Sequence, residues 1–99
     1  MAKVAAPFTE EDLIFYADYL VADYRKHFNL EYDIMFELGR KYIKVIQVGT
    51  GGTQSVNSFV ERATGNILKA ATWKAPTLNF IRGNIQNRDF SRCAWTGCI

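Results

Sequence analysis

Between Glu31 and Trp73 the chain alternates between runs of strand-forming residues and short glycine-bearing turns. Glu31 to Leu38 sets Tyr32, Ile34, Phe36 and Leu38 against Asp33, Met35 and Glu37, the period-two pattern of a half-buried strand. Gly39-Arg40 turns the chain, Tyr42 to Val48 is rich in β-branched residues, and Gly49-Thr-Gly-Gly-Thr53 turns it again. Gln54 to Glu61 forms a third run, with Val56 and Val60 on one face and Asn57 and Phe59 on the other. Arg62-Ala-Thr-Gly65-Asn66 makes another turn, and Ile67 to Trp73 forms a fourth run. Turns this short join antiparallel neighbours and leave no room for a crossover helix. The expected centre of the fold is a four-stranded antiparallel meander, which can bury one face and leave the other to solvent or a ligand.

A helix precedes the meander. Thr9 stands where a cap is needed, and Glu10, Glu11 and Asp12 suit the positive end of the helix dipole. Leu13, Tyr16, Ala17, Leu20, Tyr24 and Phe28 recur at helical spacing as the core face. Phe15, Tyr19 and Ala22 form a second row, and Phe15 and Tyr19 are the candidate contact for a homo-oligomer. His27 and Asn29 mark the helix end. As the only histidine, His27 reads as a dipole partner rather than a catalyst or metal ligand. After Pro76, Thr77 as a cap with Leu78, Ile81 and Ile85 at helical spacing predicts a short helix, with an edge segment as the alternative. The tail from Arg88 reads as irregular, docked by Trp95 and Ile99. The expected fold is a single α+β domain over residues 1–99: an N-terminal helix packed on a four-stranded antiparallel meander sheet, then a short C-terminal helical or irregular segment.

A hydrophobic share of 48% supports a packed core in a chain of 99 residues. No window is apolar enough to span a bilayer, and the N-terminus is too short for a signal peptide's apolar region, so a cytoplasmic location is expected. Cys93 and Cys98 are then expected to be reduced thiols, and C-x4-C without a second pair does not predict a metal site.

The net charge of +2 conceals a division. Residues 1–38 carry three cations against eight acids, a balance of −5; residues 39–99 carry nine cations against two acids, a balance of +7. The longest acid-free stretch of the basic part runs from Arg62 to Arg88, through Lys69, Lys74 and Arg82. Within it Trp73 can stack a ring while Lys69 and Lys74 meet phosphate. Arg82 offers a planar fork for an anion, and Asn84 can both donate to and accept from a base edge or ribose hydroxyl. Asn57, on the preceding strand, is expected near the same positions. The candidate ligand-binding residues are therefore Lys69, Trp73, Lys74, Arg82, Asn84 and Asn57. In a scaffold reading of the same stretch, Trp73 anchors the core, the lysines protect an edge strand, and Arg82 pairs with the acidic helix. No nucleophile-and-base pattern is visible, and Gly49-Thr-Gly-Gly-Thr53 leads into a strand rather than the helix that a phosphate-binding loop requires. No catalytic residue and no cofactor is expected.

The stretch Ser58-Phe-Val-Glu-Arg-Ala-Thr-Gly65-Asn-Ile-Leu-Lys69-Ala-Ala-Thr-Trp73-Lys74-Ala-Pro76, followed by Arg82-Gly83-Asn84-Ile85, resembles a recurring pattern in small proteins of tailed bacteriophages. That pattern reads as a Phe-Val strand, a Thr-Gly-Asp/Asn turn, Lys-Ala-Ala-x-Trp-Lys-Ala-Pro and then Arg-Gly-Asn-Ile; the tail after Asn87 departs from it. In size and layout the chain is also similar to phage anti-defence sponge proteins, which bind cyclic-nucleotide or cyclic ADP-ribose-like immune signals without cleaving them and act as homo-oligomers. The likeness implies a non-enzymatic accessory protein of the infected host cytoplasm that sequesters a small anionic nucleotide-like signal. Two other readings use the same basic segment: a nucleic-acid-binding module, and an inhibitor that binds a host protein. A pI of about 8.6 is low for the first of these.

Overall fold

The computed structural model describes residues 8–30 and 32–98. Helix α1, Glu10–Arg25, begins with a reciprocal cap. The Thr9 hydroxyl accepts the Asp12 amide at 3.4 Å, and the Asp12 carboxylate accepts the Thr9 amide at 2.8 Å. The helix buries Leu13, Tyr16, Leu20 and Tyr24, a stripe that meets the sheet. Phe28, expected to continue that stripe, lies past the helix end and is 43% exposed.

The strands β1 (Tyr32–Leu38), β2 (Tyr42–Gly49), β3 (Gln54–Glu61), β4 (Asn66–Ala70) and β5 (Pro76–Asn84) follow in chain order as antiparallel neighbours of one five-stranded sheet. The fold is α+β as expected, with one strand more. The segment expected as a short helix after Pro76 is β5. Its Leu78, Ile81 and Ile85 fit a helical period, but the open edge of β4 presents backbone groups that a strand satisfies and a helix does not. Gly83 fits this arrangement, because a Cβ there would strike the carbonyl oxygen of Asp89, which bonds back to Asn84. The C-terminal segment is not irregular either: β6 (Cys93–Ala94) and β7 (Gly97–Cys98) form a separate two-stranded ladder. Glu31, expected to open the first strand, and Ile99, expected to dock the tail, lie outside the described residues.

A bulge in β3 re-aims the sheet. Val45 stands opposite Ser58 and Ile46 opposite Val56, so Asn57 is the extra residue. Asn57 and Ser58 both turn toward the helix: the Tyr16 hydroxyl lies 2.8 Å from Ser58 Oγ and 3.5 Å from Asn57 Oδ1. Simple alternation, which grouped Asn57 with Phe59 and Val56 with Val60, fails at this step.

Helix and hairpin share the inner face of the sheet. The helix packs on β1, while β6 and β7 pack against the helix, β3 and β4. Phe90 wedges between them, its ring 5.0 Å from both Tyr16 and Tyr19. Trp95 meets Tyr24 and Phe28 edge-on at 5.1 and 5.2 Å. Of the second helical row, Tyr19 packs on this chain's own tail, while Phe15 stays 52% exposed and Ala22 is exposed. The Tyr19 hydroxyl donates to the carbonyls of Phe90 and Cys93, and the Arg88 guanidinium sits 4.0 Å over the Phe15 ring. Among the described residues no helix is long and apolar enough to cross a membrane.

Candidate functional site

The outer face of the sheet carries the register row Glu37, Lys44, Phe59, Leu68, Ile81. Phe59 and Leu68 are buried although, among the described residues, no helix covers that side. At one end of this face the β4–β5 turn, residues 71–75, is drawn tight. The amides of Ala71 and Thr72 donate to the Ala75 carbonyl, and the Thr72 hydroxyl accepts the amides of Lys74 and Ala75. Trp73 comes out of this turn with its ring 4.4 Å from Lys44 Nζ, a cation–π contact reaching past β3 to β2. Lys44 is held from the other direction by Glu37 at 3.5 Å, so its side chain is only 11% exposed, against 62% for Glu37.

Beside this pair lies a cleft of about 260 Å³ lined by Glu37, Gly39, Arg40, Lys41, Tyr42, Lys44, Phe59 and Lys74. Four cations against one acid give the lining a balance of +3. Arg40 and Lys41 come from the β1–β2 turn and Lys74 from the β4–β5 turn, while Tyr42 and Phe59 meet edge-on at 6.4 Å and supply apolar surface. The cleft can hold an anion among its cations and a flat ring near Trp73. Glu37 occupies Lys44, so any anion at that cation has to displace it. Lys44 is covered but Glu37 is 62% exposed and screened by solvent, so the displacement costs about 1 kcal/mol.

A family model described as a family of unknown function matches residues 9–99. The chain belongs to DUF7717. No curated protein and no solved structure matches it.

In this DUF7717 chain the six nominated residues do not form one site. Trp73 and Lys74 stand together at the cleft. Lys69 is exposed on β4 and stands opposite Ser58, whose hydroxyl faces the helix, so it does not share a face with Trp73 as simple alternation proposes. Arg82 lies six residues beyond Pro76 on β5, on the order of 15–20 Å along the strand at about 3.3 Å per residue. Its guanidinium covers the Phe80 ring at 4.5 Å and donates to the Phe80 carbonyl. Asn84 stands at the far end of β5. Its amide donates to Thr64 O and Asn66 Oδ1 at 3.1 and 2.9 Å and accepts from the Asn87 amide at 3.1 Å, so its polar atoms are spent on the β3–β4 turn, the start of β4 and the segment after β5. Asn57 is buried on the inner face, where its amide ties β3 to the tail. Among the described residues Arg88 pairs with the acidic helix, 2.7 Å from Asp12, the role that the scaffold reading gives to Arg82.

Sequence reasoning missed Arg40, Lys41, Tyr42, Lys44 and Phe59. The available signal was modest: adjacent cations at a hairpin tip, then Tyr42, Lys44 and Ile46 at period two on the face away from the helix.

Proposed function

We propose that this protein binds, without transforming, a small anionic ligand that carries a flat ring, of the nucleotide class, in the outer-face cleft. The observation that carries this reading is the Trp73–Lys44 pair at 4.4 Å beside a cleft whose lining also gathers Arg40, Lys41 and Lys74. Trp73 offers a half-exposed ring for stacking, and the cations neutralise phosphate. A volume of about 260 Å³ falls just under the range of enclosed ligand pockets, about 300–1,000 Å³, so the ring lies over the rim while the phosphate enters. Sequestration of a nucleotide signal in a phage-infected cell, the role implied by the resemblance, is compatible with this chemistry, and a homo-oligomer extends the shallow cleft by bringing a second wall.

The test is isothermal titration with nucleoside mono- and diphosphates, cyclic nucleotides and a short single-stranded oligonucleotide, at low and moderate salt. For a ligand that binds, Trp73→Ala weakens affinity by roughly 5- to 150-fold, in line with about 1–3 kcal/mol for a stacked ring. Lys44→Ala weakens it by a comparable factor, while Asn84→Ala leaves it unchanged. Binding that survives Trp73→Ala and Lys44→Ala in folded proteins refutes the cleft as the site.

The cleft is open and three of its four cations, Arg40, Lys41 and Lys74, stand on two loops, a feature shared with platforms for single-stranded nucleic acid. That reading predicts tight oligonucleotide binding that falls by orders of magnitude as salt rises. A compact phosphate site loses far less.

A further inference from the structure

The tail holds two cysteines to which the cleft gives no role. Cys93 and Cys98 are directly opposite partners in the β6–β7 ladder, and both are free thiols. Their sulfurs are 3.7 Å apart, with the Cys98 thiol donating toward Cys93. Directly opposed antiparallel residues have Cα atoms about 4.5–5.5 Å apart, within the roughly 4.4–6.8 Å over which a disulfide closes. Bond formation therefore asks for side-chain rotation and not for movement of the strands.

The surroundings also divide labour between the two sulfurs. The hydrogen bond from Cys98 holds the Cys93 thiol below its ordinary range, against the upward push of burial, and the Tyr16 hydroxyl adds to the lowering. The same bond, together with burial, pushes Cys98 up. One sulfur favours the thiolate while its neighbour keeps the proton, the division of a nucleophilic and a resolving thiol. Among the described residues no group of three or more His, Cys, Asp or Glu surrounds them, so the donor set suits a dithiol better than a four-ligand zinc centre.

We propose that Cys93 and Cys98 form a redox-active dithiol, an oxidation site that low-molecular-weight disulfides convert to an intramolecular disulfide. The Cys93 thiolate attacks one sulfur of the small disulfide RSSR, forming a mixed disulfide and breaking the S–S bond to release one thiolate RS⁻. Cys98 passes its proton to that thiolate, attacks the Cys93 sulfur and expels the second RS⁻, which takes up the proton lost in forming the Cys93 thiolate. The protein loses two electrons and two protons, and RSSR becomes two RSH. Both cysteines are nearly covered, so the reaction runs through local opening of a hairpin that is only two residues per strand.

The experiment incubates the full chain with glutathione disulfide, quenches with acid at intervals, alkylates remaining thiols and reads intact mass with peptide mapping. The expected end product is a chain lighter by two hydrogens, free of glutathione and inert to the alkylating agent, with a transient glutathione adduct on Cys93. Cys98→Ser accumulates that adduct, and Cys93→Ser reacts at least about ten-fold more slowly. A stable wild-type glutathione adduct, two thiols still free in a fully oxidising mixture, or an adduct mapped first to Cys98 overturns the proposal. The mapping uses wild-type protein, so failure of either variant to fold does not remove the test.

Discussion

Replacing Asn57 by alanine separates a scaffold residue from a binding residue. Its amide nitrogen lies 3.0 Å from Ala94 O, 3.2 Å from Trp95 O and 3.3 Å from Gln47 Oε1, and the residue is 3% exposed. An amide nitrogen carries two protons, so one of these three contacts is shared. At about 1 kcal/mol net for each bond made, the donors contribute about 2 kcal/mol. Truncation also leaves two hairpin carbonyls facing the gap. Both belong to half-buried residues, so only part of the roughly 1–3 kcal/mol penalty for an unpaired buried group applies. The expected loss is about 2–4 kcal/mol, or about 8–32 °C in Tm at about 4–8 °C per kcal/mol for a domain of this size.

Urea and thermal denaturation followed by circular dichroism measure that loss. Trp95 fluorescence in a Trp73→Phe background reports whether the hairpin leaves first. Ligand affinity of the folded fraction stays unchanged, because the cleft is on the opposite face. A fall in Tm of less than about 3 °C, or an unchanged Tm with lost ligand binding, refutes the scaffold assignment and returns Asn57 to the site.

Hydrogen bonding from the Thr9 amide, with Arg88 alongside, holds the Asp12 carboxyl below its ordinary range. A lowered folded-state pKa gives stability that is full above the unfolded value of about 4 and is lost as pH falls through the folded one, so Asp12→Asn flattens the dependence of the urea midpoint on pH below about 4. Burial pushes the hydroxyls of Tyr16 and Tyr32 well above the ordinary tyrosine range. Their contribution is full below the unfolded value of about 10 and is lost as pH rises toward the folded values, so their phenolate absorbance, assigned by Tyr→Phe variants, emerges only as the protein opens. Prompt ionisation of either near pH 10 in folded protein counts against the packing described. Gly83→Ala drives a Cβ into the Asp89 carbonyl and is expected to destabilise by about 1–3 kcal/mol, whereas Gly49→Ala, with no atom nearer than 4.0 Å, changes the urea midpoint little.

The helix and the first three strands were legible because each depends on local signals. Thr9 and the three acids set the helix start, and period-two alternation between glycine turns set β1, β2 and the span of β3. The errors begin where a distant partner decides the conformation. Thr77 to Ile85 satisfies a helical period and a strand composition equally well, and the edge of β4, more than six residues away in sequence, settles it. The tail has no periodicity to read. Its order comes from carbonyls that accept from Tyr19, Tyr32 and Asn57, side chains spread over the helix and two strands.

The acid-free run shows why charge counted along a chain does not locate a charged surface. Successive strand residues point to opposite faces and successive bulges reset the count, so the cations of Arg62 to Arg88 are distributed around the molecule. Arg62 donates to Gly39 O, Arg82 covers Phe80, Arg88 pairs with Asp12, and only Lys74 reaches the cleft. Convergence arises instead between segments about thirty residues apart. In this meander the β1–β2 and β4–β5 turns leave from opposite ends of the strands, so it is the β4–β5 turn reaching across the outer face that brings Lys74 to the cleft with Arg40 and Lys41 and Trp73 to Lys44. A ring and its cations supplied by different hairpins keep their spacing only while the sheet is intact. The cleft therefore draws its rigidity from the same core that Asn57, Tyr16 and Ser58 knit together on the other face.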